Sequence, residues 1–317
     1  MAYNSPEGTV DLLPGAARHW RHAQDVAARL FSAYGYDFME TPIFEQTEVF
    51  TRGIGEATDV VNKEMFVVRS GENYRRSLEA GTDAGLKGKS RLSLRPEGTA
   101  GVVRAVVQHN LVEQGATPAK LYYAGPMFRA ERPQKGRLRE FHQIGAECLG
   151  STEPTADAEM IIMLVRFYEK MGIPASDMTL YVNSMGDERC RPAYRAMVRD
   201  HILSHADEMC EECRRRADAN PLRAFDCKNA ACAHVMASAP RITDHLCDDC
   251  RSHYEAVKSY LDVAGIAYEE DPTLVRGLDY YTRTVFEVQS NAIDAAQNAI
   301  GGGGRYDKLC LLYTSDA

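Results

Sequence analysis

The stretch GPMFRAERPQKGRLREFHQIGAE, residues 125–147, concentrates positive charge in a chain that is acidic overall. Arg129, Arg132, Lys135, Arg137 and Arg139 crowd its first fifteen positions, flanked by Phe128 and Phe141. Both ends are strand-like, and the RPQKG between them carries proline and glycine, so the segment reads as an antiparallel hairpin. Alternation along a strand would put Arg137 and Arg139 on one face. Arginine offers a planar fork of donors and stays charged when partly desolvated, which suits phosphate oxygens. Phe141 has a flat apolar face for a nucleobase, and Glu131 could orient the cations or meet a base edge. On charge alone the plainer reading is a solvated basic strand, paired with Glu131 and Glu140. The sharper one is a nucleotide clamp built without a Walker lysine loop.

The surrounding composition is ordinary for a globular protein. The 317 residues carry a net charge of −8, with 44% hydrophobic and 26% charged residues, enough for a large core and more than one domain. The acidic balance argues against non-specific coating of nucleic acid but leaves room for a local cationic site. No apolar run approaches the length of a membrane span, and the opening MAYNSPEGTVDLLPG lacks a signal pattern, so the expectation is a cytoplasmic chain with no membrane partner. Six of the nine cysteines fall between Cys210 and Cys250, as CEEC, CKNAAC and CDDC. In that setting they point to metal or free thiol before disulfide.

Helical spacing over 17–34 aligns Trp20, Ala23, Ala27, Leu30, Phe31 and Tyr34, and Gly35 stops it. Residues 69–93 are glycine-rich and aperiodic and read as a mobile loop. LSLRPEGTAGVVRAVVQHNL reads as strand, turn and helix with its valines inward. Residues 155–171 form an amphipathic helix between Pro154 and Gly172. A mostly helical insertion is expected over 184–252. It is followed by a helix bearing Tyr254, Val257, Leu261 and Ala264, the strand-like RTVFEV and the loop AIGGGGRYD. The mixture of antiparallel strand pairs and helices indicates an α+β fold.

Four segments in fixed order carry a family resemblance. GPMFRAERPQKGRLREFHQIGAE resembles motif 2 of the class II aminoacyl-tRNA synthetases, in the form found in histidyl-tRNA synthetases. LRPEGTAG (94–101) resembles the segment before it, LVRGLDYYTRTVFEV (274–288) the histidine-specific signature and GGGRYD (302–307) its glycine-rich partner. PEGTVDLLPG and PIFEQTEVFTRGIGEATDVVNKEMF match the family's N-terminal entry and its motif 1 neighbourhood. The resemblance implies a class II catalytic domain, a mixed, largely antiparallel sheet flanked by helices. Its parts would span 1–183 and 253–309 around the insertion.

It also implies the reaction: ATP activates histidine to histidyl-adenylate, and the histidyl group passes to tRNA(His). A carboxylate is already ionised at neutral pH, so positioning and charge neutralisation replace a general base. By resemblance, Arg129 and Arg276 contact the reacting carboxylate and α-phosphate, while Glu131, Arg137 and Phe141 hold ATP together with Mg²⁺. Glu97, Thr99 and Gln143 match acceptors for the α-amino group, and Glu147 and Tyr281 the partners of the imidazole. Tyr280, Gly302, Gly304 and Tyr306 complete the histidine pocket, the glycines through close backbone approach or through a plain left-handed turn. A structural ion pair of Arg276 with Asp279 is the bland reading of that arginine. A homodimer follows from the motif 1 segment, 17–50.

In the insertion, Cys210-x-x-Cys213 and Cys247-x-x-Cys250 could present four thiolates to one structural Zn²⁺, with Cys227 and Cys232 able to replace a pair. Reduced thiols on helices are the alternative. Arg214, Arg215, Arg216 and Arg223 are candidate tRNA phosphate contacts or a solvated helix face. After Leu309 the family pattern breaks off. The tail 310–317 reads as an artefact, and motif 3 and the anticodon-binding domain are absent, so the expectation is a fragment, or else a natural short paralogue, inactive by itself. The competing function is a regulatory paralogue that binds histidine or a partner enzyme without charging tRNA.

Overall fold

The computed structural model describes residues 3–309 except 56–57, 59, 81–90, 113–117, 135, 277, 279 and 294–297. The expected tail, and the residues Lys135 and Asp279 invoked above, lie outside the described residues. The chain forms two units, one of residues up to Ser151 with Lys308 and Leu309, the other Thr152–Asp307.

In the first unit, α1 (Pro14–Ala33) starts on a proline, whose missing N–H costs nothing at a helix's first turn. It buries Val26, Ala27, Leu30 and Phe31, and Gly35 ends it with φ +81. β1 (Asp37–Phe38) then pairs in parallel with β5 (Ala119–Phe128), while β2 (Phe44–Gln46), β3 (Val67–Val68) and β4 (Leu92–Leu94) form a separate antiparallel sheet ordered β2-β4-β3. α2 (Thr47–Ile54) and α3 (Gly71–Ala80) lie between these strands, and α4 (Thr99–Gln108) follows with Val102, Val103 and Val106 buried. α3 corrects the expected loop of 69–93 over its first part, whereas residues 81–90 of that loop lie outside the described residues. ENYRRSLEA holds good helix formers, and Glu72 pairs with Arg76 one turn on, local stabilisation that glycine counting overlooks.

β5 and β6 (Glu140–Leu149) form the expected hairpin, antiparallel in register from Ala119↔Leu149 to Phe128↔Glu140. The placement of Arg137 and Arg139 on a strand face is corrected. Both precede β6, in a connection where Arg137 bridges Gln134 and the Arg139 N–H donates to Gly8 O at 2.7 Å. The N-terminal segment thus takes the hydrogen bond that a partner strand would have supplied.

In the second unit, α5 (Pro154–Lys170) runs between its proline and Gly172, φ +86. The sheet has the order β10-β9-β7-β8, built from β7 (Met178–Ser184), β8 (Glu269–Glu270), β9 (Thr282–Ser290) and β10 (Ala299–Arg305). Only β7–β8 is parallel. Between β7 and β8 come α6 (Arg191–Ser204), α7 (Glu211–Arg216), α8 (Ala230–Ala237) and α9 (Asp248–Val263), with short 3-10 turns at Pro221–Asp226 and Ile242–His245. One apolar core joins α5, α9 and the sheet through Ile161, Val182, Val257, Leu261 and Val288. A second fills the helical segment through Val198, Ile202, Cys232, Val235 and Cys250. The fold is α+β. No described helix is long and apolar enough to cross a membrane.

The glycine run is a strand, which corrects the expected loop and the left-handed turn. All of Gly301–Gly304 pair with β9, and none of the four has positive φ.

Candidate active site

In the first unit, period-two alternation on β6 puts Phe141, Gln143, Gly145 and Glu147 on one face. Gly145 is opposite Tyr123 on β5, and the tyrosine ring lies against it. A Cβ on Gly145 would fall 2.4 Å from that ring, and one on Gly98 would fall 2.2 Å from it. Tyr123 is therefore clamped between two bare backbones. Its hydroxyl donates to Glu147 Oε1 at 3.2 Å, and Thr99 Oγ1 donates to the same oxygen at 2.8 Å. Burial, and then the nearby Glu147 and Glu97 carboxylates, push the Tyr123 hydroxyl well above its ordinary range, so it stays a neutral donor.

Glu97, also buried, accepts from the N–H groups of Thr99 and Ala100 at 2.8 and 2.9 Å, one on each oxygen. It satisfies two of the donors left open at the start of α4 and still has lone pairs for a cation. Burial raises its pKa, and the two N–H bonds and Arg129 offset that only in part.

At the other end of the hairpin, Arg129 Nε donates to Pro96 O at 2.9 Å, and the guanidinium carbon stands 5.2 Å from the centre of the Phe141 ring. The fork is held at its root by this carbonyl and on one face by the ring. Glu131 accepts from Arg137 Nη1 at 2.8 Å and lies 3.9 Å from Arg129 Nη1. Arg139 Nε donates to the Glu131 carbonyl at 3.1 Å. Residues expected to bind ATP (Arg129, Glu131, Arg137, Phe141) are thus in mutual contact, with Gln143 and Glu147 following on the strand face of Phe141.

In the second unit, Arg276 Nη1 pairs with Glu287 Oε2 at 2.7 Å, and the guanidinium carbon is 6.0 Å from the Tyr281 ring centre. Among the described residues its ion-pair partner is Glu287 on β9, while Asp279, the partner in the bland reading, lies outside them. Arg276 Nε is buried with no hydrogen-bond partner among the described residues. Gly302 sits opposite Glu287 in the β9–β10 ladder. A Cβ there would lie 2.7 Å from Phe286 O and 2.8 Å from Arg276 Nη1. At Gly304 it would lie 2.6 Å from Thr284 O and 2.8 Å from Tyr281 Cδ1. Tyr280 packs on Tyr281 at 4.6 Å and edge-on to Tyr306 at 5.7 Å. Gly302→Ala is expected to cost about 1–3 kcal/mol in a urea melt, because the carbonyl of Phe286 cannot retreat from its ladder. An unchanged midpoint would show that the strand can shift.

Sequence reasoning missed Tyr123 and Glu287. A tyrosine whose cross-strand partner is glycine, and a lone carboxylate inside the apolar RTVFEVQ, were the available signals. The grouping of both C-x-x-C pairs in one site is corrected, while the alternative in which Cys227 and Cys232 replace a pair fits one of two clusters. Cys210 and Cys213 group with Cys227 and Cys232, whereas Cys247 and Cys250 group with Asp187 and Cys190. The two knuckles head different helices, α7 and α9. Of the arginines proposed for tRNA, Arg215 and Arg216 both pair with Glu212 and Arg223 with Asp226.

A buried acceptor cluster on β6, with positioned arginines in the connection that joins β5 to β6, is the arrangement expected of a class II synthetase catalytic domain. Residues 8–315 match the family model described as histidyl-tRNA synthetase. A histidine–tRNA ligase of Halothermothrix orenii is 46% identical over 309 residues, 98% of this chain and 69% of that protein. The apo histidyl-tRNA synthetase of S. aureus superposes with a TM-score of 0.73 at 35% identity, covering 98% of this chain and 68% of that one. A Bacillus halodurans chain described as an ATP phosphoribosyltransferase regulatory subunit/histidyl-tRNA synthetase shares the fold, at 21% identity and a TM-score of 0.64. The chain belongs to the histidyl-tRNA synthetase family.

Proposed function

We propose that this chain serves as a histidine–tRNA ligase, activating histidine with ATP and passing the histidyl group to tRNA(His). The observation that carries this reading is Arg129, rooted on Pro96 O over Phe141, on the hairpin whose β6 continues to the buried Glu147. Histidine's carboxylate attacks the α-phosphorus, pyrophosphate leaves, and the adenylate then passes its acyl group to a ribose hydroxyl of the tRNA 3′ end, releasing AMP. No proton has to be removed in the first step, so the protein's work is to hold the reactants in line and neutralise charge at phosphorus. Arg129 does the latter, Arg137 and Glu131 hold ATP, and Phe141 covers the adenine.

Glu97, with Thr99 and Gln143, accepts the α-ammonium group. Glu147, fixed by two hydroxyl donors, accepts from an imidazole N–H. A site that leaves such a carboxylate unpaired rejects apolar analogues strongly. Arg276 serves the histidine carboxylate, and Tyr280, Tyr281, Gly302, Gly304 and Tyr306 shape the histidine-binding surface of the second unit.

Mg²⁺ accompanies the nucleotide. It prefers phosphate oxygens and water to an all-protein cage, and among the described residues no group of three or more potential ligands lies beside the ATP-binding residues. Zn²⁺, in this reading, is structural. A homodimer, a tRNA docked along the Arg214–Arg216 face and a cytoplasmic location complete the proposal.

Histidine-dependent ATP–pyrophosphate exchange, measured beside direct binding of histidine, tests it. Exchange with histidine and not with other amino acids is expected. Binding of histidine with no exchange would overturn the assignment in favour of a regulatory, histidine-binding role.

A further inference from the structure

We propose that the helical segment between β7 and β8 holds two zinc ions: one bound by Cys210, Cys213, Cys227 and Cys232, the other by Cys190, Cys247, Cys250 and the carboxylate of Asp187. In each group the four ligand atoms lie within 4.8 Å of one another.

The spacings fit single ions. A tetrahedral zinc with Zn–S near 2.3 Å sets its sulfurs about 3.8 Å apart, and a carboxylate oxygen about 3.6 Å from each sulfur. Cys210 Sγ and Cys227 Sγ are 3.8 Å apart, and Cys190 Sγ and Cys250 Sγ 3.9 Å. Asp187 Oδ1 is 3.7 Å from Cys190 Sγ and 3.8 Å from Cys247 Sγ. A disulfide would need about 2 Å. Ligands of an iron–sulfur cluster would be spread around a multi-atom core.

Both sites use the same local device. Cys210 and Cys247 sit at the N-cap positions of α7 and α9, and Cys213 and Cys250 follow one turn inside. Asp187 and Cys190 repeat that spacing ahead of α6. Backbone donors reach the sulfurs: Cys210 N lies 3.2 Å from Cys232 Sγ, and Asp187 N 3.4 Å from Cys190 Sγ. In the second site Oδ2 is engaged by Arg189 at 3.1 Å and Arg283 at 3.5 Å, while Oδ1 accepts the Arg189 N–H at 3.0 Å and keeps a lone pair on the side of the thiols. Two cations thereby offset the negative charge that three thiolates and a carboxylate place around a divalent ion.

The positions explain why the segment needs them. α7 has six residues and α8 eight, lengths at which helices are marginal without tertiary support. The first ion staples α7, the turn ending at Cys227 and α8. The second ties the chain's entry at Asp187–Cys190 to its exit at Cys247–Cys250, closing a loop of sixty residues at its neck.

Zinc content of the chain, purified without chelator and read by elemental analysis and native mass spectrometry, should be two ions per molecule. Cys213→Ser and Cys250→Ser should each lose one. Asp187→Ala should surrender one ion to a chelator at least ten times faster than the wild type. Asp187→Cys should retain both and, with cobalt in place of zinc, show stronger sulfur-to-metal charge transfer. Should the serine variants fail to fold, the wild-type stoichiometry still decides. One ion or none, or chelator kinetics unmoved by Asp187→Ala, would overturn the proposal.

Discussion

Arg129→Ala is expected to lower histidine-dependent ATP–pyrophosphate exchange by about 10²–10³-fold, the loss seen when a preorganised donor is removed from a developing oxyanion. The argument rests on how the side chain is held. Its Nε is committed to Pro96 O, its plane is backed by Phe141 and its Nη1 lies 3.9 Å from Glu131, so the guanidinium is positioned before a phosphate arrives. Arg129→Lys keeps the charge but loses the fork and the root contact, and should recover only a small part of the rate. The side chain is about one quarter exposed and its one close carbonyl bond is worth about 1 kcal/mol, so thermal stability should move little. Exchange at wild-type rate in Arg129→Ala would remove this arginine from the chemistry. Steady-state kinetics should show the loss in kcat rather than in the KM for histidine, because the contact strengthens with charge at phosphorus.

The largest stability effect is expected at Asp157, which no sequence signal singled out. Its carboxylate accepts from Arg305 Nε at 3.0 Å and from His253 Nε2 at 2.7 Å, all three side chains being almost fully buried. Arg305 ends β10, and its Nη2 also donates to Glu153 O at 2.9 Å, so Asp157 anchors the glycine strand to the start of α5. Asp157→Asn leaves a buried guanidinium with only the more exposed Asp307 as counter-charge and should cost about 3–5 kcal/mol in urea unfolding at neutral pH. Asp307→Asn, which removes a more exposed partner of the same arginine, should cost under about 1 kcal/mol.

The pH dependence has a definite sign. Burial alone would raise the Asp157 pKa, but the His253 hydrogen bond and the Arg305 charge overcome it and hold the carboxyl below its ordinary value. A depressed folded value means that the contribution is complete above the unfolded pKa, near 4, and is lost as pH falls through the folded one. The stability gap between wild type and Asp157→Asn should therefore close in acid. A gap that persists unchanged well below pH 3 would assign the loss to packing rather than charge.

Much of the site was legible because it is local. Phe141, Gln143 and Glu147 share a face through strand alternation alone, and Pro14, Gly35, Pro154 and Gly172 punctuate α1 and α5 by backbone chemistry that needs no partner. Arg137 was singled out by residue type within one hairpin, and Arg129 by the resemblance of that hairpin to motif 2.

What the sequence could not supply were partners distant along the chain. Two identical C-x-x-C knuckles look like one site until tertiary structure gives one of them Cys227 and Cys232 and the other Asp187 and Cys190. A glycine run reads as a turn until the ladder with β9 makes it a strand, forced bare by Phe286 O, Thr284 O and Arg276. Arg276 takes Glu287, eleven residues on, because the sheet places that carboxylate within reach. Spacing and punctuation are properties of neighbouring residues and follow from backbone sterics. Ligand sets, ion pairs and close approaches depend on which distant backbones pack together, and only the folded chain decides that.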